Sequence, residues 1–192
     1  MRDLEPYING TRRGRVAGIT FDDGYENNAR HALPVLRNME FTATCYAVSN
    51  MIGGTNSWDA HIGIAEKPLM SLDDWKMWLA GGMEIGSHTR SHANLTTLSA
   101  TDSREEVLGS KKELEELFGC EVRHFCYPFG QFEKTDISAV KLAGYVSATT
   151  TDRGLVHIGD DPYTLRRIMV AQATNLLQFT LKITTSYEDR RR

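Results

Sequence analysis

Short apolar runs alternate along this chain with stretches of helical periodicity, and that alternation limits the possible folds more than any other feature. The β-like runs fall at residues 16–21, 41–48, 83–87, 122–127, 145–149 and 165–170. They are nearly continuous in apolar character, as strands buried on both faces require. Ser71 and Asp74 form a capping box ahead of Trp75, Trp78 and Leu79, with Gly81-Gly82 as the stop. Ser103 and Glu106 form a second, opening a helix with Val107, Leu114, Leu117 and Phe118 on one face and Gly119 at its end. A third helix carries Ile137, Val140 and Leu142 and closes at Gly144. Residues 27–37 read as a fourth, broken or kinked by Pro34 unless that residue lies near an end, and residues 175–185 as a fifth.

Strands alternating with helices argue for a mainly parallel sheet with crossover connections. Six strands are too few for a regular eight-fold barrel. The pattern leaves two α/β architectures open, a doubly wound sheet and an incomplete barrel.

Composition narrows the partners. With 192 residues, 41% of them hydrophobic and 24% charged, the chain suits one domain, residues 1–192, with a sizeable core. Lys and Arg number 22 against 25 Asp and Glu, a formal charge of −3 that gives no reason to expect nucleic acid or an anionic membrane. Arg190-Arg191-Arg192 reads as a solvated tail. Cys45, Cys120 and Cys126 lack the spacing of a disulfide framework, and Cys45 and Cys126 read as small buried hydrophobes. No apolar stretch is long enough to span a membrane, and the first residues lack a signal-peptide pattern. As written the chain reads as cytoplasmic; as a trimmed form of an exported protein it would belong to the cell envelope.

Three polar clusters each follow a separate apolar run. Thr20-Phe21-Asp22-Asp23-Gly24-Tyr25 places two carboxylates at a strand's end, although Asp-Gly alone is an ordinary turn pair. His88-Thr89-Arg90-Ser91-His92 places two imidazoles four residues apart, about 5–6 Å if on one helical turn, close enough to share an ion. Thr89 stands where zinc proteases carry glutamate. Cys126-Tyr127-Pro128-Phe129-Gly130 offers an aromatic loop that could wall a sugar ring or form a turn. Arg167 ends the sixth run. Clusters at the C-terminal ends of successive strands are what one shared active site requires.

Phe21-Asp22-Asp23-Gly24 together with Ser87-His88-Thr89-Arg90-Ser91-His92 resembles the first two motifs of the NodB-homology polysaccharide deacetylases, carbohydrate esterase family 4. Tyr127-Pro128-Phe129-Gly130 resembles their third, and the likeness runs from about Arg15 to about Val170, nearest the branch acting on poly-N-acetylglucosamine. It implies a distorted, incomplete (β/α) barrel of six to seven parallel strands. It also implies a hydrolase that removes acetyl groups from an N-acetylated oligo- or polysaccharide. Asp23, His88 and His92 would bind a divalent metal, zinc most often, with nickel or cobalt also suited to that ligand set. Asp22 would act as base on an ion-activated water, and the Tyr127 N–H would stabilise the oxyanion. Trp58, Tyr127 and Phe129 are candidates for sugar stacking.

Two departures bear on this reading. The family commonly has arginine where this chain has Cys126, and Arg167 is the expected replacement as partner of the base. The family's late acid histidine has no counterpart after Ile168. In the poly-N-acetylglucosamine branch that histidine precedes the Asp-Asp motif, yet no histidine lies before Asp22 here. Either an N-terminal segment is missing or another group serves, His157 being the late candidate. Two other functions stay open: hydrolysis of small amides, and a glycan-binding domain that keeps its metal.

Overall fold

A computed structural model describes residues 1–189; the arginine tail at residues 190–192 lies outside the described residues. All six expected strands form: β1 (Ile19–Phe21), β2 (Ala43–Ala47), β3 (Glu84–Ser87), β4 (His124–Cys126), β5 (Ser147–Arg153) and β6 (Leu165–Arg167). They make one parallel sheet in the order β1-β2-β3-β4-β5-β6. A doubly wound sheet reverses its strand order partway. Here each strand instead joins the edge left by its predecessor, so the sheet curls one way into part of a barrel wall. β1 and β6 do not pair, and the wall stays open between them. The structure is therefore the incomplete barrel, with six strands.

The helices are α1 (Glu5–Ile8), α2 (Leu33–Asn38), α3 (Leu72–Ala80), α4 (Ala100–Phe118), α5 (Lys134–Leu142) and α6 (Leu176–Thr184). The Ser71–Asp74 capping box opens α3 as expected and sends Trp75 and Trp78 into the core, where Phe21 meets Trp78 edge-on. Before α2 the chain widens into a π-turn over Asn28–Ala32, and Pro34 sits in the first turn of α2. There its missing N–H costs nothing. Val107 and Leu114 of α4 join Phe125 and Tyr145 in the core.

The expected start of α4 needs correction. Its N-cap is Ser99, which accepts from the Asp102 N–H, so the helix begins a turn before Ser103. Ser103 is buried within the helix and donates to Asp136 of α5, while Glu106 reaches a neighbouring loop. Strand limits also shift where apolar residues are exposed, as at Val16, Met169 and Val170. Cys45 and Cys126 are buried and free, as expected. Among the described residues no helix is long and apolar enough to cross a membrane.

Candidate active site

Asp22 and Asp23 leave the C-terminal end of β1, where Asp23 adopts a left-handed backbone (φ 70°). The turn can close because Gly24 follows. A Cβ there would lie 2.8 Å from the Trp75 ring. His88 leaves β3, and its Nδ1 bonds the Cys126 carbonyl at 2.7 Å, which leaves Nε2 facing Asp23. His88 Nε2 lies 3.4 Å and His92 Nε2 3.3 Å from the same Asp23 oxygen, Oδ1.

The two imidazoles therefore converge, but not by the expected helical turn. Residues 88–92 form an irregular loop in which Thr89 (φ 68°) and His92 (φ 60°) are left-handed. Of the five non-glycine residues with positive φ among the described residues, four (Asp23, Thr89, His92 and Phe129) belong to these strand-end loops. Such conformations cost energy and gather where a site demands a particular side-chain direction.

One carboxylate and two imidazoles, with ligand atoms within 4.8 Å of one another, suit a borderline divalent cation such as zinc. Two further observations fit this use. The carbonyl on His88 Nδ1 fixes its tautomer, as metal-binding histidines usually require. Burial opposes charge on the Asp23 carboxylate, yet contact with His88 and His92 holds it well below the usual range. Burial also opposes charge on both rings: at His92 it prevails and lowers the pKa, whereas at His88 Cys126, Asp23 and Asp22 outweigh it.

Asp22 lies beside His88, with ligand atoms within 4.8 Å, but both of its oxygens are held by Arg167. The guanidinium holds both carboxylate oxygens at 2.7 Å, bonds the Thr150 carbonyl at 2.8 Å, and lies 3.3 Å from Cys126 Sγ. The small thiol thus leaves room for the arginine of β6. Burial would raise the Asp22 pKa, but the paired guanidinium outweighs it and holds the carboxyl low. The same contact spans the open seam between β1 and β6.

Trp58 stacks on the His92 ring at 4.4 Å, and Phe129 meets that ring edge-on at 4.7 Å. Phe129 remains exposed and Trp58 half-buried, so both aromatic surfaces flank the candidate metal position. Gly130 is obligatory beside Phe129, because a Cβ there would lie 1.9 Å from Thr151 Oγ1.

Tyr127 is available for neither expected role. Its ring is fully buried between Phe125 and Phe132, and its hydroxyl donates to the Tyr163 carbonyl. Its N–H donates to Thr149 across the sheet. Strand alternation explains the burial: Tyr127 shares a face with Phe125, and the intervening Cys126 faces Arg167. His157 also falls away from the site, with its ring bonded to Asp189 at 2.7 Å.

The residues 88–92 loop has a support that sequence inspection missed. Glu106 Oε2 accepts the Arg90 and Ser91 N–H groups at 2.8 and 3.0 Å, and Oε1 accepts the Ser91 hydroxyl at 2.9 Å. The only sequence signal for this was polar residues recurring at helical spacing on α4.

Comparison with known proteins bears on the family and the fold. The family model for polysaccharide deacetylase matches residues 9–148. YxkH of Bacillus subtilis strain 168 is 29% identical over 153 residues, covering 80% of this chain and 50% of that protein. The poly-β-1,6-N-acetyl-D-glucosamine N-deacetylase of Staphylococcus epidermidis is 26% identical over 180 residues, covering 88% of this chain and 60% of the enzyme. The chain thus spans 50% and 60% of the length of these two curated relatives. IcaB from Ammonifex degensii shares the fold with a TM-score of 0.81 at 22% identity, covering 95% of this chain and 79% of that one.

Proposed function

The chain belongs to the polysaccharide deacetylase family, and from that membership we propose that it removes acetyl groups from the N-acetylated sugars of a polysaccharide, using a divalent metal. The observation that carries the reading is the convergence of His88, His92 and Asp23 beside a separately held second carboxylate, Asp22. Asp23, His88 and His92 would hold the ion, zinc being the first choice and nickel or cobalt the next. When bound, the ion supplies Lewis-acid chemistry, polarising an acetyl carbonyl and lowering the pKa of a water.

The other steps belong to the chain's own residues. Asp22 is the proton acceptor. Arg167 keeps it charged at neutral pH and occupies one side of each oxygen, and a carboxylate oxygen has a further lone pair for a donor. Arg167 is its positioning partner, bringing the last strand to the first. Phe129 and Trp58 would offer apolar faces to a sugar ring, with Phe129 the more open of the two. Tyr127 supports this loop from the core. Residues 1–192 act as one deacetylase domain, and the similarity to the staphylococcal enzyme makes poly-N-acetylglucosamine the first substrate to test.

A second reading has one specific observation behind it. The expected acid candidate, His157, is bound to Asp189 rather than to any of these groups. On this reading the domain binds glycan and keeps its ion without completing the reaction. Acetate release from N-acetylglucosamine oligomers separates the two. Release by this chain establishes the deacetylase reading; release only after extension at the N-terminus places the missing proton donor in an added segment. No release from either form, with substrate still bound, favours the binding domain.

A further inference from the structure

We propose that Glu106 of α4 is a positioning residue for the candidate metal site, holding the loop of His88 and His92 in the strained form that aims both imidazoles at Asp23. The inference rests on the metal-site reading above and extends it to a residue outside the motif.

The loop cannot hold this shape by itself. It is not helical, and Thr89 and His92 both occupy the left-handed region that side-chain-bearing residues avoid. Its polar backbone groups must therefore find partners elsewhere. The carbonyls of Thr89 and Arg90 accept from the N–H groups of Ser49 and Asn50, at 3.2 and 3.0 Å. The two successive N–H groups of Arg90 and Ser91 go to Glu106, which also takes the Ser91 hydroxyl. Hydrogen bonds to a charged acceptor are the stronger kind, and three of them reach one carboxylate immediately before His92.

The helix is shaped for this contact along one stripe. Gly109 lies one turn after Glu106, and a Cβ there would come within 2.6 Å of Arg90 Cδ. Ser110 bonds Ser87, the residue before His88, at 2.7 Å. Glu113 takes Arg90 Nε at 2.7 Å and the Ser49 hydroxyl at 2.5 Å. Positions 106, 109, 110 and 113 recur at helical spacing and face the loop together. Without Glu106, two adjacent N–H groups lose their partner, and the loop gains a reason to relax toward ordinary backbone angles. His92 would then turn from Asp23.

The test is zinc affinity, measured on metal-free protein by competition with a chromophoric chelator, alongside thermal unfolding of each variant. Glu106→Ala is expected to weaken zinc binding about 10- to 100-fold, the usual loss when a group orienting a ligand is removed. Glu106→Gln retains an oxygen for both N–H groups and is expected to stay close to wild type. Wild-type affinity in folded Glu106→Ala overturns the proposal, as does Glu106→Gln being as weak as Glu106→Ala. Should Glu106→Ala fail to fold, Glu106→Asp withdraws the carboxylate by one methylene and is expected to show the same loss; wild-type affinity there also overturns it. Asp23→Ala separates the two readings. If it keeps zinc, the metal site itself falls; if it loses zinc while Glu106→Ala does not, only the positioning role falls.

Discussion

Each end of the curled sheet buries histidine beside carboxylate, and the two ends differ in how that charge is answered. At the C-terminal end, two imidazoles face one oxygen of Asp23, while the nearby arginine is committed to Asp22. At the N-terminal end, His124 of β4 is fully buried between Glu5 at 3.3 Å and Glu84 at 3.4 Å, with its Nδ1 on the Ser147 hydroxyl. There Arg123 holds both oxygens of Glu5, and Thr44 donates to Glu84. The N-terminal cluster carries its own cation and spreads its carboxylates to either side of the ring. The C-terminal cluster gathers its donors around one point, and its Asp23 pairs with no Lys or Arg among the described residues. Histidine near carboxylate is thus not a sufficient signature of a metal site. Convergence on a common point without a competing cation is what makes the C-terminal cluster the candidate.

Four experiments test that contrast. The largest effect is expected from Asp23→Ala, which should reduce bound metal to background, whereas His124→Ala should leave metal content unchanged; elemental analysis of both proteins decides it. Next comes Asp22→Asn, expected to lower the rate of acetate release by about 10²–10⁴ with metal retained, since it removes a base and not a ligand.

The N-terminal cluster should reveal itself in stability. Burial pushes the His124 ring down to about 4, against the pull of Glu84 and Glu5. Its folded pKa therefore lies below the ordinary histidine value of about 6.5. Between those values the unfolded chain binds more protons, so stability should rise with pH from about 4 to 6.5 and be lost as pH falls through that window. The change attributable to His124 is about 3 kcal/mol, read by urea denaturation at both pH values, and His124→Gln should flatten it.

Arg167→Ala has a smaller expected effect, about 2 kcal/mol lost on leaving Asp22 without its charged partner. Because Arg167 holds the Asp22 pKa down, its removal should also move the acid limb of the pH–rate profile upward. An unchanged limb would mean that Asp22 is not the titrating base.

Much of the site was legible because its signals are local. Asp22-Asp23-Gly24 and His88 with His92 each lie within a few residues at the end of an apolar run, and strand ends in such folds point into one crevice. The same locality misled at Ser103, where a capping-box spacing lay inside a helix that Ser99 had already opened. It also misled at Tyr127, whose motif position suggested an exposed ring. Alternation along β4 put that ring in the core beside Phe125. Glu106 was hidden because its relation to His92 runs between a helix and a loop, and neither segment's pattern specifies the other.

Composition and periodicity specified six strands, most of the helices between them and the loops that hold the candidate site, because burial and hydrogen bonding impose periods that survive in the sequence. Pattern alone left an incomplete barrel and a doubly wound sheet both possible, and the family likeness favoured the first. Strand order is a long-range property, and only the tertiary structure displayed it, along with the meeting of Arg167 with Asp22 across the open seam and the support of the histidine loop by α4. Those arrangements depend on which faces pack together, and packing partners distant in sequence leave no period to read.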